Sequence, residues 1–389
     1  MKNNISSALP NSFFMKTIHI ISIVLSLSLL LGSCTSLQKP APPLTYDIDS
    51  IPRTSETPID SVRYLPLELT DNSLIGSIDK IICLNDKFYI YDQSFHKGVL
   101  TFDKNGRFLQ VLHPLGQGPG EYLHPVDFDV DSEGNIYIAD NERQRILKYE
   151  KGNSKAYEEI ATGRYFLNFA LTEEGNFLLG DVYEQGRLAD KLAVYNPRTQ
   201  TYETLLQPAQ PEVNEMKILK TVSHYLFKSG RKTYYYHRFT PHVYQPERKE
   251  PFASFLSSRY FTAESLKELE GKSAAFLTDT KHIKDINGFY EISQGYVCSI
   301  LSSYLPDFYY IPRKGNGIRR FGLEREKRLL GNVMLKGVTD RALIFTASYT
   351  DANAQKAAGL TGLSADERAI FSQWNADSNP ILILVYLKP

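Results

Sequence analysis

The feature that most constrains the fold is a strand pattern that recurs along the chain. Between Gly116 and Tyr149, short runs in which every second residue is apolar alternate with turns rich in Asp, Asn and Gly. This alternation is typical of antiparallel strands joined by tight turns. Equivalent strands end at Asp92, Asp140 and Asp181, so the pattern recurs after 48 and then 41 residues. A repeat of about 40–50 residues with about four strands predicts the blade of a β-propeller.

The number of blades follows from continuing this pattern to the end of the chain. A β-sandwich with similar turns is the alternative, but the repeat keeps its Asp, Gly and aromatic positions in register together, which favours a propeller. Six blades can be counted, and the last has only three strands of its own: Asn332–Val338, Arg341–Thr346 and Ile381–Leu387. Because propellers avoid an open sheet edge, we expect Ser61–Glu68 to supply the fourth. The predicted fold is all-β, a six-bladed β-propeller closed by an N-terminal strand.

Two segments that interrupt the blades carry helical signals. Thr262–Gly271 has an N-cap residue and a terminating Gly, and Ser364–Glu367 has a capping-box pattern inside the insertion Ser348–Asn379. The second helix would carry Ile370, Phe371 and Trp374 on one side, and such a stripe must be buried. It would either cover the mouth of the central channel as a lid or pack against the outside of the sixth blade.

Several of these segments resemble a known family. Ser61–Glu68, the loop Gly116–Tyr122, the strand end at Asp140 and the closing segment Asn379–Leu384 are similar to the six-bladed β-propeller lipoproteins of Bacteroidetes, which have NHL/TolB-like repeats. The resemblance covers roughly residues 60–389. It implies the fold but no particular activity.

The N-terminus has the composition of a targeting segment. Lys16 precedes an apolar run, Ile18–Leu31, which leads through Gly and Ser to Cys34. This resembles a bacterial lipobox, and the run is too short for a comfortable membrane span. An ordinary signal peptide is the alternative. We therefore predict a lipoprotein signal peptide over 1–33, a tether over 34–58 and the propeller over 59–389. Lipid on Cys34 would anchor the protein in the membrane, and the absence of acidic residues before Asp47 favours the periplasmic side of the outer membrane.

Charge and cysteine content exclude some functions and leave others open. Lys plus Arg and Asp plus Glu both number 44, so no global field favours nucleic acid. Cys83 and Cys298 lie in apolar strands of different blades, which favours buried free thiols over a disulfide. Neither has the spacing of metal ligands. No metal or cofactor is expected.

Strand direction predicts which loops share a face of the propeller. We label the strands of each blade A to D from the centre outwards. The D-to-A links and B-to-C turns then share one rim, here called the upper rim, and the A-to-B and C-to-D turns share the lower rim. The upper rim is the expected ligand-binding face, and its candidate contact residues are Gln117, Glu121, Arg143, Tyr183, Arg187, Arg238, Tyr304 and Trp374.

Other conspicuous residues are interpreted as structural. The glycines of Gly116–Tyr122 are not followed by the Lys-Ser/Thr of a phosphate-binding loop and suit a tight turn. The repeated strand-ending aspartates suit backbone hydrogen bonds in their turns. His224, His237 and His242 are close in sequence but are not expected to form a metal site. No catalytic motif is present.

Three functions remain open at this stage. A non-catalytic binding module for a glycan, peptide or protein partner is favoured, since aromatic and Arg side chains are expected on the upper rim. A propeller enzyme, such as a metal-dependent lactonase-like hydrolase or a sugar lyase, is the second. A structural subunit of an envelope complex is the third. The fold does not decide among them.

Overall fold

Six small sheets follow one another along the chain and form a six-bladed β-propeller. The structure is a computed structural model and describes residues 42–54, 58–208, 213–218, 225–236, 238–302, 305–314, 317–323 and 329–388. The chain divides into two compact units, Met1–Pro42 and Pro43–Pro389, and the propeller is the second. Cys34 and Ile18–Leu31 lie outside the described residues. Within the described ranges, no helix is long and apolar enough to cross a membrane.

The first three blades each consist of four consecutive antiparallel strands, paired in chain order from the centre outwards. Blade 1 contains β3 (Lys80–Leu84), β4 (Lys87–Asp92), β5 (Gly98–Asp103) and β6 (Phe108–Leu112); blade 2 contains β7 (Pro125–Val130), β8 (Ile136–Asp140), β9 (Arg145–Tyr149) and β10 (Tyr157–Ala161); blade 3 contains β11 (Tyr165–Leu171), β12 (Phe177–Glu184), β13 (Arg187–Asn196) and β14 (Thr201–Leu206).

The remaining blades follow the same plan, with an additional strand in blade 4 and a borrowed strand in blade 6. Blade 4 contains β15 (Leu226–Ser229), β16 (Lys232–Tyr236), β17 (His242–Tyr244), β18 (Ala253–Leu256) and, outermost, β1 (Leu44–Asp47); blade 5 contains β19 (Asp285–Ile292), β20 (Gly295–Leu301), β21 (Pro306–Pro312) and β22 (Arg319–Phe321); blade 6 contains β23 (Asn332–Val338), β24 (Ala342–Ala347), β25 (Ile381–Leu387) and β2 (Ile59–Pro66).

Aromatic side chains fill the spaces between neighbouring blades. The largest fully buried side chains are all Tyr or Phe, among them Tyr91 and Tyr149. Their rings supply apolar area, and the hydroxyls of these two tyrosines have backbone acceptors: Tyr91 donates to Pro125 O at 2.7 Å and Tyr149 to Gly120 O at 2.9 Å. A buried tyrosine therefore packs a blade interface and also fixes the link beside it.

The ring is closed as predicted, by a strand from the N-terminal side. β2 pairs antiparallel with β25, with Tyr64 opposite Ile383 and Pro66 opposite Ile381. Asn379, immediately before β25, strengthens the closure. Its side chain accepts from Ile75 N at 2.9 Å and donates to Glu68 O at 2.9 Å and Ser73 O at 2.7 Å. One buried amide thus joins the last blade to the link that leads into blade 1.

An additional strand lies within the range that we predicted to be a tether. β1 pairs in parallel with β18, placing Leu44 opposite Ala253. The following turn is fixed by Asp49, whose carboxylate accepts from the hydroxyls of Ser257 and Ser258 at 2.7 and 2.9 Å. Part of the range 34–58 is therefore packed on blade 4. The signal peptide and the residues before Pro42 remain a prediction.

The predicted insertion Thr262–Gly271 contains one helix and is followed by a second that was not predicted, the insertion Ser348–Asn379 contains two, and a shorter helix lies between blades 3 and 4. The helices are α1 (Glu215–Ile218), α2 (Ala263–Leu269), α3 (Ser273–Thr278), α4 (Asp351–Ala358) and α5 (Ala365–Gln373). Thr262 and Ser364 each form the capping box that the sequence indicates. Phe371 of α5 packs edge-on against Tyr64 of the outermost strand of blade 6, with ring centroids 4.8 Å apart. This contact favours packing against the outside of blade 6 over the lid.

Candidate functional site

The centre of the propeller is crossed by two buried ion pairs. Lys80 of blade 1 contacts Asp127 of blade 2 at 2.8 Å, and Lys228 of blade 4 contacts Asp129 of blade 2 at 2.5 Å. The second oxygen of Asp127 accepts from Phe169 N, and that of Asp129 from Leu171 N, both in blade 3. Alternate residues of one strand thus bind the inner strands of four blades together. Both oxygens of each carboxylate thus have protein partners, so Asp127 and Asp129 stabilise the fold and do not bind a ligand.

The glycine-containing loop on the upper rim is a tight turn, as predicted. Gly120 has φ +70°, and a Cβ there would lie 2.6 Å from the Tyr157 ring. Glu121 turns inward: its carboxylate accepts from Gly118 N at 2.7 Å, and its carbonyl accepts from Arg145. The half-buried Glu121 side chain thus stabilises its own turn, and its contact with a ligand stays a prediction.

Two other candidates from this region come together on the surface. Arg143 is half-buried and donates to Gln117 O at 3.1 Å, while the Gln117 side chain is exposed. The contact joins the link between blades 1 and 2 to the B-to-C turn of blade 2. It places the Arg143 guanidinium against the backbone of Gln117 on the upper rim.

A concave site with exposed aromatic groups lies between blades 2 and 3 on this rim. We call it the blade 2–3 groove; its volume is about 560 Å³, and it is lined by Gln144, Gly163, Arg164, Tyr165, Tyr183, Glu184, Gln185 and Gly186. The rings of Tyr165 and Tyr183 meet edge to face, with centroids 5.8 Å apart and planes at 76°. Tyr165 is 41% exposed. Arg187 is exposed just beyond the Gln185–Gly186 turn.

Charged neighbours hold the polar groups of this groove in place. Arg164 stacks on Tyr202, with 4.2 Å between the guanidinium carbon and the ring centroid, and pairs with Glu184 at 3.4 Å and Asp190 at 3.6 Å. Burial, reinforced by nearby acidic groups, raises the pKa of Tyr183 to about 12. Tyr183 is therefore a neutral phenol at physiological pH and can donate a hydrogen bond. The groove offers two ring faces, a fixed guanidinium, a carboxylate and amides.

Behind the groove, the same rim contains a cluster of buried charges. Lys191 contacts Asp181 at 2.7 Å and Glu215 of α1 at 2.9 Å. Arg238 lies over the Tyr225 ring at 4.7 Å and 3.8 Å from Asp285. Arg238 is 3% exposed, so its predicted role as a surface contact is corrected: it is sealed beneath the rim by its stack and ion pair.

The pKa values of these buried charged groups differ from their ordinary values. Burial raises the pKa of Asp285 to about 6, and Arg238 only partly opposes this. Burial alone would lower the pKa of Lys191, but Asp181 and Glu215 raise it above its ordinary value. Clusters of this kind occur at functional sites and also in structural networks. Here Lys191 joins β12 and β13 of blade 3 to α1.

The three repeated aspartates do not have one common role. Asp92 accepts backbone N–H bonds from Gly76, Ser77 and Phe95, among others, as predicted for a turn residue. Asp140 accepts from His124 N but also pairs with Arg145. Asp181 instead has φ +50° and forms the ion pair with Lys191. The prediction that each aspartate accepts backbone N–H bonds in its own turn therefore does not describe Asp181, whose structural role is the ion pair.

The other predicted residues are buried, elsewhere or outside the described ranges. Trp374 is only 8% exposed and packs against Tyr349 and Phe371, so it is not a surface contact; it fills the space beneath the second insertion. Tyr304, His224 and His237 are not among the described residues. His242 faces Ser254 Oγ at 2.9 Å from its Nδ1. Cys83 and Cys298 are free thiols, as predicted. No three His, Cys, Asp or Glu side chains within the described ranges are grouped to hold a metal.

Sequence reasoning missed Arg164 and Tyr165, although strand parity could have found them. They lie on the link between blades 2 and 3, which that rule assigns to the upper rim. It also missed a cavity of about 1100 Å³ on the lower rim, where Arg63, Arg231 and Arg341 from distant parts of the sequence line one opening.

The fold defines the protein as a six-bladed β-propeller. Its chain belongs to the family described as Domain of unknown function (DUF4934), which matches residues 45–322. The match runs from the beginning of β1 to the end of blade 5. A search of the curated proteins gave no match.

Three solved structures that are similar to this chain come from Bacteroides fragilis, Bacteroides vulgatus and B. thetaiotaomicron. A Bacteroides fragilis protein described as exported has a TM-score of 0.73 and 17% identity, covering 90% of this chain and 100% of that chain. A DUF4221 family member from Bacteroides vulgatus has a TM-score of 0.43 and 14% identity, covering 85% and 97%. The extracellular domain of a hybrid two-component system from B. thetaiotaomicron has a TM-score of 0.38 and 13% identity, covering 69% and 32%. Of these three, the first bears on the fold.

Proposed function

We propose that this propeller is a non-catalytic binding module and that its ligand is a glycan held in the blade 2–3 groove. The observation that carries the proposal is the edge-to-face pair of Tyr165 and Tyr183 in a concave site. A sugar presents apolar C–H faces that pack on aromatic rings, and hydroxyls that need donors and acceptors. Arg164, Glu184 and Gln185 supply both beside the rings.

The shape of the groove favours a glycan over a protein partner. A volume of about 560 Å³ is within the range of small-ligand pockets, whereas a protein partner would need a broad surface of at least several hundred square ångströms. A peptide would be expected to pair with a strand edge or fill an apolar groove. The groove combines polar and aromatic groups at the ends of β11 and β12 and in the adjoining turns, so it suits hydroxyl-rich ligands best.

Binding to a glycan microarray, followed by calorimetry with the strongest oligosaccharide on the array, tests this proposal. Tyr165→Ala should weaken that binding about tenfold or more, because an exposed ring contributes on the order of 1–2 kcal/mol to such contacts. Phe95→Ala is the matched control, since Phe95 is a 60% exposed aromatic residue on the same rim outside the groove. If no glycan binds, or if both variants bind like the native protein, the glycan proposal fails; a protein or peptide partner would then be sought.

The location of the protein is a second part of the proposal. We infer that Cys34 carries lipid and anchors the propeller at the outer membrane, facing the periplasm. The apolar run Ile18–Leu31 before Cys34 supports this inference, and the description of the similar B. fragilis protein as exported agrees with it. The NHL/TolB-like lipoprotein resemblance belongs to the same proposal.

Mass spectrometry of the protein purified from bacterial membranes tests the anchor. The mature chain should begin at Cys34 with diacylglycerol on its sulfur. Cys34→Ser should remove the lipid and release the protein from the membrane fraction. A native chain that keeps residues before Cys34, or carries no lipid, would contradict the anchor without affecting the glycan proposal.

A further inference from the structure

A second cavity opens on the upper rim between blades 6 and 1, far along the ring from the blade 2–3 groove. Its volume is about 290 Å³. Blade 1 contributes Ser77, blade 6 contributes Lys336 and Thr346, and the insertion after β24 contributes Ser348, Thr350 and Asn353. The wall therefore has one cation and several hydroxyls, drawn from three separated parts of the chain.

Lys336 differs from other lysines of the propeller interior. Lys80, Lys191 and Lys228 each contact a carboxylate within 3 Å. Lys336 is half-buried in β23, and within the described part of the chain it has no ion-pair partner. Placing a charge in such a position without a partner costs free energy, so its position calls for a compensating anion.

The acidic group whose charge acts on Lys336 is Asp79, and it compensates the ammonium only in part. Asp79 forms no ion pair with Lys336, and one oxygen of its carboxylate accepts from the Ser77 hydroxyl at 2.5 Å and from Gln93 N at 2.9 Å. Burial lowers the pKa of Lys336, and the charge of Asp79 opposes this shift without cancelling it. The ammonium therefore remains undercompensated by the described protein groups.

Some hydroxyls around Lys336 already form hydrogen bonds within the protein, and others do not. Thr350 accepts from Asn353 N at 3.1 Å as the N-cap of α4, and Asn353 is held by Gly331 N and Ser348 O. Thr346 and Ser348 have no side-chain hydrogen bond within the described residues, and both line the cavity. A cation with two unused hydroxyls beside it forms a set of donors that matches an oxyanion.

We propose that this cavity binds the carboxylate or phosphate group of a small ligand, with Lys336 as its counter-ion and Thr346 and Ser348 as hydrogen-bond donors. The site is independent of the proposed glycan groove. The two sites lie on the same rim but share no residues.

The chain contains its own reporter for this site. Trp374 is the single tryptophan, and its ring meets that of Tyr349 with centroids 5.5 Å apart. Tyr349 lies between Ser348 and Thr350 in the sequence, and these two neighbours line the cavity. An anion that pulls on Ser348 should therefore change the fluorescence of Trp374.

The experiment is a fluorescence titration with three probes: D-glucuronate, inorganic phosphate and neutral D-glucose. We expect a saturable change with glucuronate, with phosphate or with both, which identifies the preferred oxyanion, and none with glucose. Lys336→Met should weaken binding at least tenfold, since charge-assisted hydrogen bonds are lost. Lys281→Met, which removes an exposed charge from the same rim, should bind like the native protein.

A second variant keeps the result interpretable if Lys336→Met fails to fold, which its circular dichroism would reveal. Ser348 is exposed and lies outside the strands, so Ser348→Ala should fold normally and weaken binding about threefold or more. The proposal is overturned if neither anion gives a saturable change, if glucose gives the same change, or if Ser348→Ala and a folded Lys336→Met both bind like the native protein.

Discussion

The closure of the ring by Asn379 leads to a prediction that can be worked out bond by bond. Asn379→Ala removes one acceptor and two donors from a buried site. Glu68 O keeps a second donor, the Ser73 hydroxyl at 2.8 Å, but Ile75 N and Ser73 O lose their Asn379 contacts. A buried polar group left without its partner costs about 1–3 kcal/mol. We therefore expect the free energy of unfolding to fall by about 3 kcal/mol.

Urea unfolding followed by Trp374 fluorescence measures this change. With an m-value of about 3 kcal/mol/M, the midpoint should fall by about 1 M. Asn379→Asp should be at least as damaging, because it keeps the acceptor for Ile75 N but turns a carboxylate toward the Glu68 and Ser73 carbonyls. Asn72→Ala is the matched control: Asn72 is exposed in the same link and should change the stability by less than about 0.5 kcal/mol.

Two outcomes would contradict this role of Asn379. If Asn379→Ala unfolds at the same urea concentration as Asn72→Ala, the amide does not hold the ring closed. If Asn379→Asp is the more stable of the two Asn379 variants, the acceptor alone accounts for the effect, and the donated bonds to Glu68 and Ser73 contribute nothing.

Three further predictions concern the same fold. A chain beginning at Ile75 loses β2 and the residue after it, with the buried Val62, Tyr64, Leu65 and Leu67, on the order of 6–12 kcal/mol; compared with a chain beginning at Pro58, which lacks β1 but keeps β2, it should lack a cooperative thermal transition, and an unchanged transition would contradict closure by β2. Lys228→Met leaves Asp129 buried without its cation and should cost about 3–5 kcal/mol in urea unfolding, whereas adding Asp129→Asn should recover part of that loss. Burial would raise the pKa of Asp49, but hydrogen bonds from Ser257, Ser258 and Arg259 outweigh it and lower the pKa to about 2. The stabilisation that the ionised Asp49 contributes is therefore present above about pH 4 and is lost as the pH falls toward 2. Asp49→Asn should flatten that part of the pH–stability curve, and an equally steep curve would contradict the assignment.

The repeat and the direction of its strands were sufficient to predict most of the fold. Because blades are built by the same local rule, the sequence period indicated their number, and the missing strand of blade 6 indicated how the ring closes. β1 was not predictable in the same way. It has only four residues, and its partner Ala253–Leu256 lies about 200 residues away, so no local signal specifies the pairing.

The sequence predicts the rim on which the candidate site lies, but only some of the residues that form it. Strand parity placed Tyr183 on the rim where the groove lies. It could not show that Arg238 is sealed under Tyr225, because burial at a rim depends on how far the neighbouring link folds over it. The repeat also misled us at Asp181: equivalent positions share a backbone location, but the charge of Lys191 is specific to blade 3.

The borrowed strand has a consequence for the order of events during synthesis. β2 is made before its partner β25, which follows more than 300 residues later along the chain. Until then β2 and β24 each lack the neighbour that β25 provides, and contacts of such long range slow folding. If the chain is exported, an unclosed ring is also easier to thread through a membrane. The arrival of β25 would then determine when the ring closes, because β2 has no partner strand before that point.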